Sequence, residues 1–382
     1  MTNDRMTDDG MTDDGMTDDG MIGNRENKLP GRGEVRLPRR AMMHGVSAAS
    51  VAAVLAAGIR PARAAGSGLF PSHPKWRFVF VNHATTHSFF VPTRYGIEDA
   101  CALLGCTFQW TGSETADVAQ MVDAMNAAIA SKADGIAVAI VDPKGFNAPT
   151  ARAMQAGIPV FAYNSDAPPG SPNERLAYIG QDLFRSGEMM GERIVTLVGT
   201  GEVALFIGTP GQLNLQPRIN GAMAYLKQSA AAIHPVVIAT DPTLNVALSK
   251  VRAYYLGHES VKGMFGSSAT DTESIGSVMR QFELPKKGIH AGGYDLVPQS
   301  LQDVRDGYLD FLMDQQPYLQ GFYTVMEMFV YKASGGLTGP AEINTGIKFV
   351  TRENVAPYLT TRTRYEGSSA EPQIVPRSGS IG

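Results

Sequence analysis

Polar and charged side chains recur wherever a short apolar run of the sequence ends. In chain order they are His83, His87, Asp142, Asn164, Asp166, Arg218, Ser268, Asp271, Asp295 and Gln315. Carboxylate, amide and guanidinium groups supply both donors and acceptors, so together they could replace the water around a molecule that carries several hydroxyl groups. The adjacent rings of Phe89 and Phe90 add flat apolar surface for the C–H face of a sugar. This set of residues predicts the binding of a sugar or polyol.

The apolar runs that precede these residues alternate with amphipathic stretches, a pattern typical of βαβ units and a parallel sheet. Pro92 predicts the start of the first helix and Gly105 its end. In open α/β sheets, ligands bind beyond the carboxyl ends of the strands, so we expect the polar strand ends to share one crevice. The predicted strands are 77–81, 106–110, 135–141, 158–163, 202–207, 235–240, 262–266 and 289–294.

The length of 382 residues exceeds the usual size of one compact domain, which predicts two lobes with separate cores. The strand pattern restarts after a joint at 167–172 that is rich in Pro, Gly and Ser. We therefore expect an α/β fold of two Rossmann-like lobes with parallel sheets. The predicted boundaries are 75–170 for the N-terminal lobe, completed by about 315–340; 171–314 for the C-terminal lobe, completed by about 341–360; and 361–382 for a tail.

Residues 1–64 are interpreted as an acidic repeat followed by an export signal. They begin with a repeated acidic five-residue unit that is too short and polar to form a core, and that we expect to be disordered. The arginine pair Arg39 and Arg40, a mild apolar stretch and a small-residue site ending at Ala64 then follow in the order of a signal peptide. The arginine pair favours the twin-arginine subtype over general secretion. We expect cleavage near Ala64/Ala65 and a periplasmic mature protein.

Several other functions lack support in the sequence. The formal net charge of −4 predicts no basic surface for nucleic acid. Cys101 and Cys106 lie five residues apart, which favours two buried thiols over a disulfide. Two histidines spaced like His83 and His87 can coordinate zinc when both lie on a helix. This pair falls on a predicted loop with no third ligand nearby. Phosphate-loop, dinucleotide, nucleophile-elbow and zinc signatures are missing, so we expect no cofactor, no metal and no catalytic residue.

With these residues identified, the sequence from Lys75 to about Leu359 resembles the ribose-type periplasmic sugar-binding proteins, the type 1 class that serves sugar ABC transporters. The resemblance implies two lobes joined by three hinge crossings that close around a ligand. It also implies that Phe89 and Phe90 flank a sugar ring and that Arg218, Asp295 and Gln315 contact it. The matching stretches are HATTHSFF (83–90), GIPVFAYN (157–164), RING (218–221), GYD (293–295) and DQQP (314–317).

The sequence departs from ribose binders where they carry an Asp-Arg pair, since it has Asn164, Ser165 and then Asp166. It also has Asp142 where they tend to have asparagine, and Asp271 within a looser match to their Asn-Asp pair. Another pentose, a hexose, an acyclic polyol or an inositol therefore stays open as the ligand.

The predicted function is that of a monomeric solute-binding protein that delivers its ligand to the membrane permease of an ABC transporter. One alternative is presentation of a bound sugar or signalling furanose to a chemoreceptor or sensor kinase. A LacI-like regulator would share the fold, but it would need a helix-turn-helix domain in place of residues 1–64. An enzyme is the remaining, weaker alternative.

Overall fold

Two six-stranded sheets, each flanked by helices, organise residues 72–229 and 231–360, the part of the chain that the computed structural model describes. The strands are β1 (Arg77–Asn82), β2 (Thr107–Gly112), β3 (Gly135–Val138), β4 (Val160–Tyr163), β5 (Tyr178–Gly180), β6 (Thr200–Ile207), β7 (Ala232–Ala239), β8 (Gly263–Gly266), β9 (His290–Tyr294), β10 (Phe311–Asp314), β11 (Glu342–Asn344) and β12 (Lys348–Thr351). The N-terminal sheet has the order β11-β5-β4-β3-β1-β2, and the C-terminal sheet has the order β12-β10-β9-β8-β6-β7. Only the β10–β12 pair within these sheets is antiparallel. The predicted fold class is confirmed.

The helices lie between the strands, as βαβ units require. They are α1 (Val91–Leu104), α2 (Val118–Ala130), α3 (Asn147–Gln155), α4 (Leu183–Val198), α5 (Gln216–Gln228), α6 (Leu244–Gly257), α7 (Ala269–Gln281), α8 (Pro298–Asp306), α9 (Pro317–Ser334) and α10 (Ala356–Thr360). Short 3-10 turns occupy Ser88–Phe90 and Leu284–Lys287. As predicted, α1 has Pro92 in its first turn and ends at Gly105, whose φ of 67° is readily adopted by glycine. None of the helices in the described residues is long and apolar enough to cross a membrane.

Each sheet is buried on both faces, which explains why its strands appear in the sequence as continuous apolar runs. In β1, Phe78 and Phe80 pack into one core of the N-terminal lobe, while Val79 and Val81 pack into the core on the opposite face. The C-terminal lobe repeats the arrangement along β6. The prediction of separate cores is confirmed for both lobes.

Glycines allow the paired helices of the C-terminal lobe to touch. A Cβ at Gly221 of α5 would lie 2.1 Å from the backbone oxygen of Phe184 in α4, and a Cβ at Gly187 would lie 2.1 Å from that of Arg218. Such distances are far inside van der Waals contact, so only glycine fits at this crossing. The close packing fixes the start of α5, and with it the position of Arg218, against α4.

The chain crosses between the lobes after Gly180, at Gln315 and near Thr345. The first crossing comes later than the predicted boundary at residue 170, because β5 pairs with β4 in the N-terminal sheet. The third also differs, because β11 pairs with β5 and so belongs to the N-terminal lobe. Strands of three or four residues, such as β5, β10, β11 and β12, are too short to show a period in the sequence. The predicted signal segment at 1–64 and the tail at 361–382 lie outside the described residues, while Cys101 and Cys106 are buried free thiols as expected.

Candidate ligand-binding site

A cavity that is partly open to solvent lies between the carboxyl ends of the two sheets. This is the place that the strand-end argument indicated. His83 follows β1, Asn164 follows β4 and Asp295 follows β9. The predicted site residues that line the cavity are His83, His87, Phe89, Phe90, Asn164, Arg218, Ser268, Asp295 and Gln315.

The loop between β1 and α1 carries two histidines across the cavity to the C-terminal lobe. The Nδ1 atom of His87 accepts a hydrogen bond from the backbone N–H of Phe89 (3.1 Å), so Nε2 carries the proton of the neutral ring and donates to Oγ1 of Thr270 (3.4 Å). The Nε2 atom of His83 accepts from the side-chain amide of Asn214 (3.2 Å). Each contact joins the two lobes, so the structure is closed over the cavity.

Both histidines are uncharged at neutral pH. Burial, with smaller contributions from the neighbouring His87 and Arg218, lowers the pKa of His83 to about 3. Burial also lowers the pKa of His87, although the carboxylate of Asp295 acts in the opposite direction. Because Nε2 of neutral His83 is an acceptor, the proton of that ring lies on Nδ1.

Arg218 is buried at the start of α5, with 3% of its surface exposed. Its guanidinium carbon lies 4.0 Å from the centre of the Tyr294 ring, and Nη1 donates to the backbone oxygen of Ser267 (2.8 Å). These contacts hold the guanidinium in place by a cation–π interaction and one hydrogen bond. Three polar atoms of cavity residues have no hydrogen-bond partner among the described residues, namely Arg218 Nε, His83 Nδ1 and Asn214 Oδ1.

Asp295 and Arg218 both line the cavity, and Asp295 is hydrogen-bonded to the hinge residue Gln315. Its Oδ1 atom accepts from Nε2 of Gln315 at 2.7 Å. Burial raises the pKa of Asp295, while the charge of Arg218 and the bond from Gln315 oppose that rise. The backbone of Asp295 has a φ of 78°, and that of Asn164 has a φ of 63°. A non-glycine residue in the left-handed region is strained, and such strain is concentrated at functional sites.

The two adjacent phenylalanines have different roles. Phe90 is 2% exposed and belongs to the core of the N-terminal lobe, where its ring lies edge-on to His83 with centroids 5.3 Å apart. Phe89 is half-buried and packs edge-on against Phe90, with centroids 4.7 Å apart. Phe89 therefore offers the more accessible apolar face, and Phe90 supports both Phe89 and His83.

Three predicted site residues are placed outside the cavity. Asp142 closes the turn after β3, because its Oδ1 accepts from the N–H groups of Lys144 (2.9 Å) and Gly145 (2.7 Å). Asp166 pairs with Arg175 on a separate groove near the hinge. Asp271 is fully buried in the first turn of α7, where it accepts hydrogen bonds from serine and threonine hydroxyls. The expectation that every polar strand end shares one crevice is therefore corrected at these positions: each carboxylate is used by a nearby loop, ion pair or helix start.

The cavity also contains residues that sequence reasoning missed. They include Thr115, Thr209, Gln212, Asn214 and Thr270. Asn214 lies in the loop between β6 and α5, four residues before Arg218, so attention to the whole loop could have found it. No group of three or more His, Cys, Asp or Glu residues that could hold a metal occurs in the described part of the chain.

Comparisons with known proteins agree with this geometry. Residues 78–335 match the model of the periplasmic binding protein domain. The xylose/arabinose-binding protein XylF of Sulfolobus acidocaldarius is 47% identical over 314 residues, covering 79% of this chain and 77% of that protein. An ABC transporter solute-binding protein of Burkholderia graminis, solved with D-arabinose, has a TM-score of 0.70 at 29% identity, covering 76% of this chain and 99% of that one. A carbohydrate transporter of Acidothermus cellulolyticus, solved with myo-inositol, shares the fold with a TM-score of 0.68 at 23% identity, covering 78% and 100%. The chain belongs to the periplasmic binding protein family.

Proposed function

We propose that this protein binds a neutral monosaccharide, and a pentose in preference to larger sugars, and delivers it to an ABC importer. The observation that carries the proposal is the set of unpartnered polar atoms around the cavity. His83 Nδ1 and Arg218 Nε are donors, and Asn214 Oδ1 is an acceptor, supplied by both lobes. A buried polar atom without a partner costs about 1–3 kcal/mol, so hydroxyl groups that pair with these atoms would stabilise the closed form.

The charges around the cavity favour an uncharged ligand. Arg218 supplies one buried cation, Asp295 supplies a buried carboxylate and Glu114 supplies an exposed carboxylate at the cavity edge, while both histidines are neutral. A sugar phosphate or sugar acid would add a negative charge beside Asp295 without a second buried cation to offset it. A neutral sugar can instead use the guanidinium as a donor and the carboxylate as an acceptor.

The preference for a pentose rests on the relatives. The relative with 47% identity is named for xylose and arabinose, and the Burkholderia graminis protein was solved with D-arabinose. The Burkholderia graminis protein is named as an ABC transporter solute-binding protein, which favours transport over the sensor alternative. We infer no catalytic step, because these relatives are named as binding proteins.

Export, the periplasmic location, the monomeric state and the permease partner are parts of the same proposal. The signal-like order of Arg39, Arg40 and Ala64 supports export. In the native host the mature protein should begin near Ala65, and replacing both arginines with lysine should retain it inside the cell. Normal secretion of that double variant would contradict the twin-arginine route.

Calorimetric titration tests ligand capture directly. The panel contains D-xylose, L-arabinose, D-arabinose, D-ribose, D-glucose, D-galactose, xylitol and myo-inositol. We expect a Kd at or below about 1 μM for at least one pentose, equivalent to roughly −8 kcal/mol. Tightest binding of a hexose or inositol would overturn the pentose preference, and no binding by any member at about 1 mM would overturn the proposed function itself.

A further inference from the structure

Gln320, the fourth residue of α9, is fully buried and does not line the cavity. Its Nε2 atom donates to the backbone oxygen of Gln315 (3.1 Å) and to Oε1 of the same residue (3.2 Å). Its Oε1 atom accepts from Nδ2 of Asn164 (3.0 Å). One amide therefore contacts two residues that do line the cavity.

These contacts determine which end of the Gln315 amide faces Asp295. Because Oε1 of Gln315 accepts from Gln320, its Nε2 points the other way and donates to Oδ1 of Asp295 (2.7 Å). The reversed amide would place Oε1 of Gln315 against a carboxylate and its NH2 group against the NH2 group of Gln320. Both contacts would be repulsive. The NH2 group of Gln315 would also face Nδ2 of Asn164, which now donates to Oε1 of Gln315 (3.4 Å), so Gln320 and Asn164 together select one orientation.

The backbone around this pair of amides is also held. The hydroxyl of Thr345, at the third lobe crossing, donates to the backbone oxygen of Gln315 (2.8 Å). The hydroxyl of Thr324 donates to the backbone oxygen of Gln320. The chain of hydrogen bonds runs from Asn164 in the N-terminal lobe through the hinge to Asp295 in the C-terminal lobe. It links two of the cavity-lining residues that have left-handed backbones.

We propose that Gln320 is a positioning residue for the sugar: it orients the amide of Gln315 so that Asp295 is held as an acceptor for ligand hydroxyl groups. The inference rests on the proposed function and extends it to a residue that does not touch the cavity.

The most direct variant is Gln320→Glu, which keeps the side-chain size and the acceptor for Asn164 but removes the donor to Gln315. The new carboxylate would repel the oxygen of Gln315, and the reversed amide would set that oxygen against Asp295, so neither orientation holds Asp295 without repulsion. We expect at least a tenfold weaker affinity for the pentose that the wild type binds best. The matched control is Gln302→Glu, the same change at an exposed position of α8, which should leave affinity unchanged.

A double-mutant cycle separates positioning from a general structural role. If Gln320 acts through Gln315, Gln320→Glu in a Gln315→Leu background should change Kd by less than about twofold. Equal losses in both backgrounds would overturn the inference. The Tm is measured for every variant, including Gln320→Leu. These values show whether a loss of affinity comes from a loss of folded stability.

A second measurement needs no ligand. In ¹⁵N-glutamine-labelled full-length protein, the side-chain NH2 resonances of Gln315, assigned by their loss in Gln315→Leu, should shift strongly in Gln320→Glu and stay fixed in Gln302→Glu. Unchanged resonances would overturn the positioning role. If the wild type bound no sugar in the panel, the proposed function would fail, and these resonances would still decide the orientation of the amide.

Discussion

Lowering the pH from about 7.5 to about 5.5 is expected to open the cleft and weaken sugar binding, because the closed form requires two neutral histidines. His83 accepts a hydrogen bond from Asn214 through Nε2, and His87 accepts one from a backbone N–H through Nδ1. Protonation turns either acceptor into a donor, which breaks that hydrogen bond and places a positive charge in a buried site.

The expected magnitude follows from the pKa shifts. Burial lowers the pKa of His83 to about 3 and lowers that of His87, whereas both rings should return towards the ordinary value near 6.5 when the cleft is open. A pKa that is lowered in the closed form gives full affinity above the open-form value, and affinity falls as the pH drops below it. Between about pH 7.5 and 5.5 the loss is about tenfold for His83, or about 1.4 kcal/mol, and up to about tenfold for His87.

Titration calorimetry at constant ionic strength across this range provides the assay. Burial raises the pKa of Asp295, which acts in the opposite direction, so variants are needed to isolate the histidines. His87→Asn keeps an acceptor at the start of the 3-10 turn. It should remove the contribution of His87 to the change of Kd with pH. His290→Asn, at a histidine outside the cavity, should leave the profile unchanged. A wild-type Kd that varied by less than twofold, or a His87→Asn profile identical to the wild type, would refute the reasoning.

Three further predictions test the site and its support. Arg218→Met should weaken pentose binding by roughly ten- to a hundredfold in calorimetry, because charge-assisted hydrogen bonds contribute about 1.5–3 kcal/mol; near-normal affinity would show that the site is assigned to the wrong residues. Asp142→Asn keeps the acceptor of its turn and should change Kd by less than about twofold, so a tenfold loss would restore Asp142 to the site. Gly221→Ala should lower the free energy of unfolding by about 1–3 kcal/mol or more in denaturant titration, since its Cβ would meet a backbone oxygen of the facing helix. The control Gly257→Ala, where a Cβ meets open space, should cost nothing, and equal losses in the two would contradict the packing argument.

The fold could be predicted from the sequence because a strand that is buried on both faces is apolar at nearly every position. Strands such as 77–82 and 200–207 appear as apolar runs whose length and flanking turns separate them from helices. The short strands β5 and β11 leave no such mark, since three residues cannot show a period and their partners are set by the tertiary fold. The lobe boundaries were therefore displaced while the fold class was predicted correctly.

The candidate site was predictable only in part, for a physical reason. A carboxylate that follows a strand can face the crevice or bond to groups of its own loop. The sequence alone does not show which protein groups lie near enough to bond to it. Asp142 is captured by two local N–H groups and Asp166 by Arg175, whereas Asp295 is turned towards Arg218 and the hinge. Asn214 and Gln320 lie away from strand ends, so the rule that found the other residues did not indicate them.

Asn164 and Asp295 show what the closed structure adds to a list of residues. They follow β4 and β9, the fourth strands of their respective lobes, and both have left-handed backbones. That conformation costs roughly 1–3 kcal/mol for a residue with a side chain, so it persists only where surrounding contacts compensate. Here Asn164 donates to the amide oxygens of Gln315 and Gln320, and the amide of Gln315 donates to Asp295. Because Gln315 is bonded to a residue of each lobe, separating the lobes would break hydrogen bonds that hold two strained residues at once. The hinge network therefore couples the geometry of the site to closure, which is why a change at buried Gln320 should be detected at the ligand.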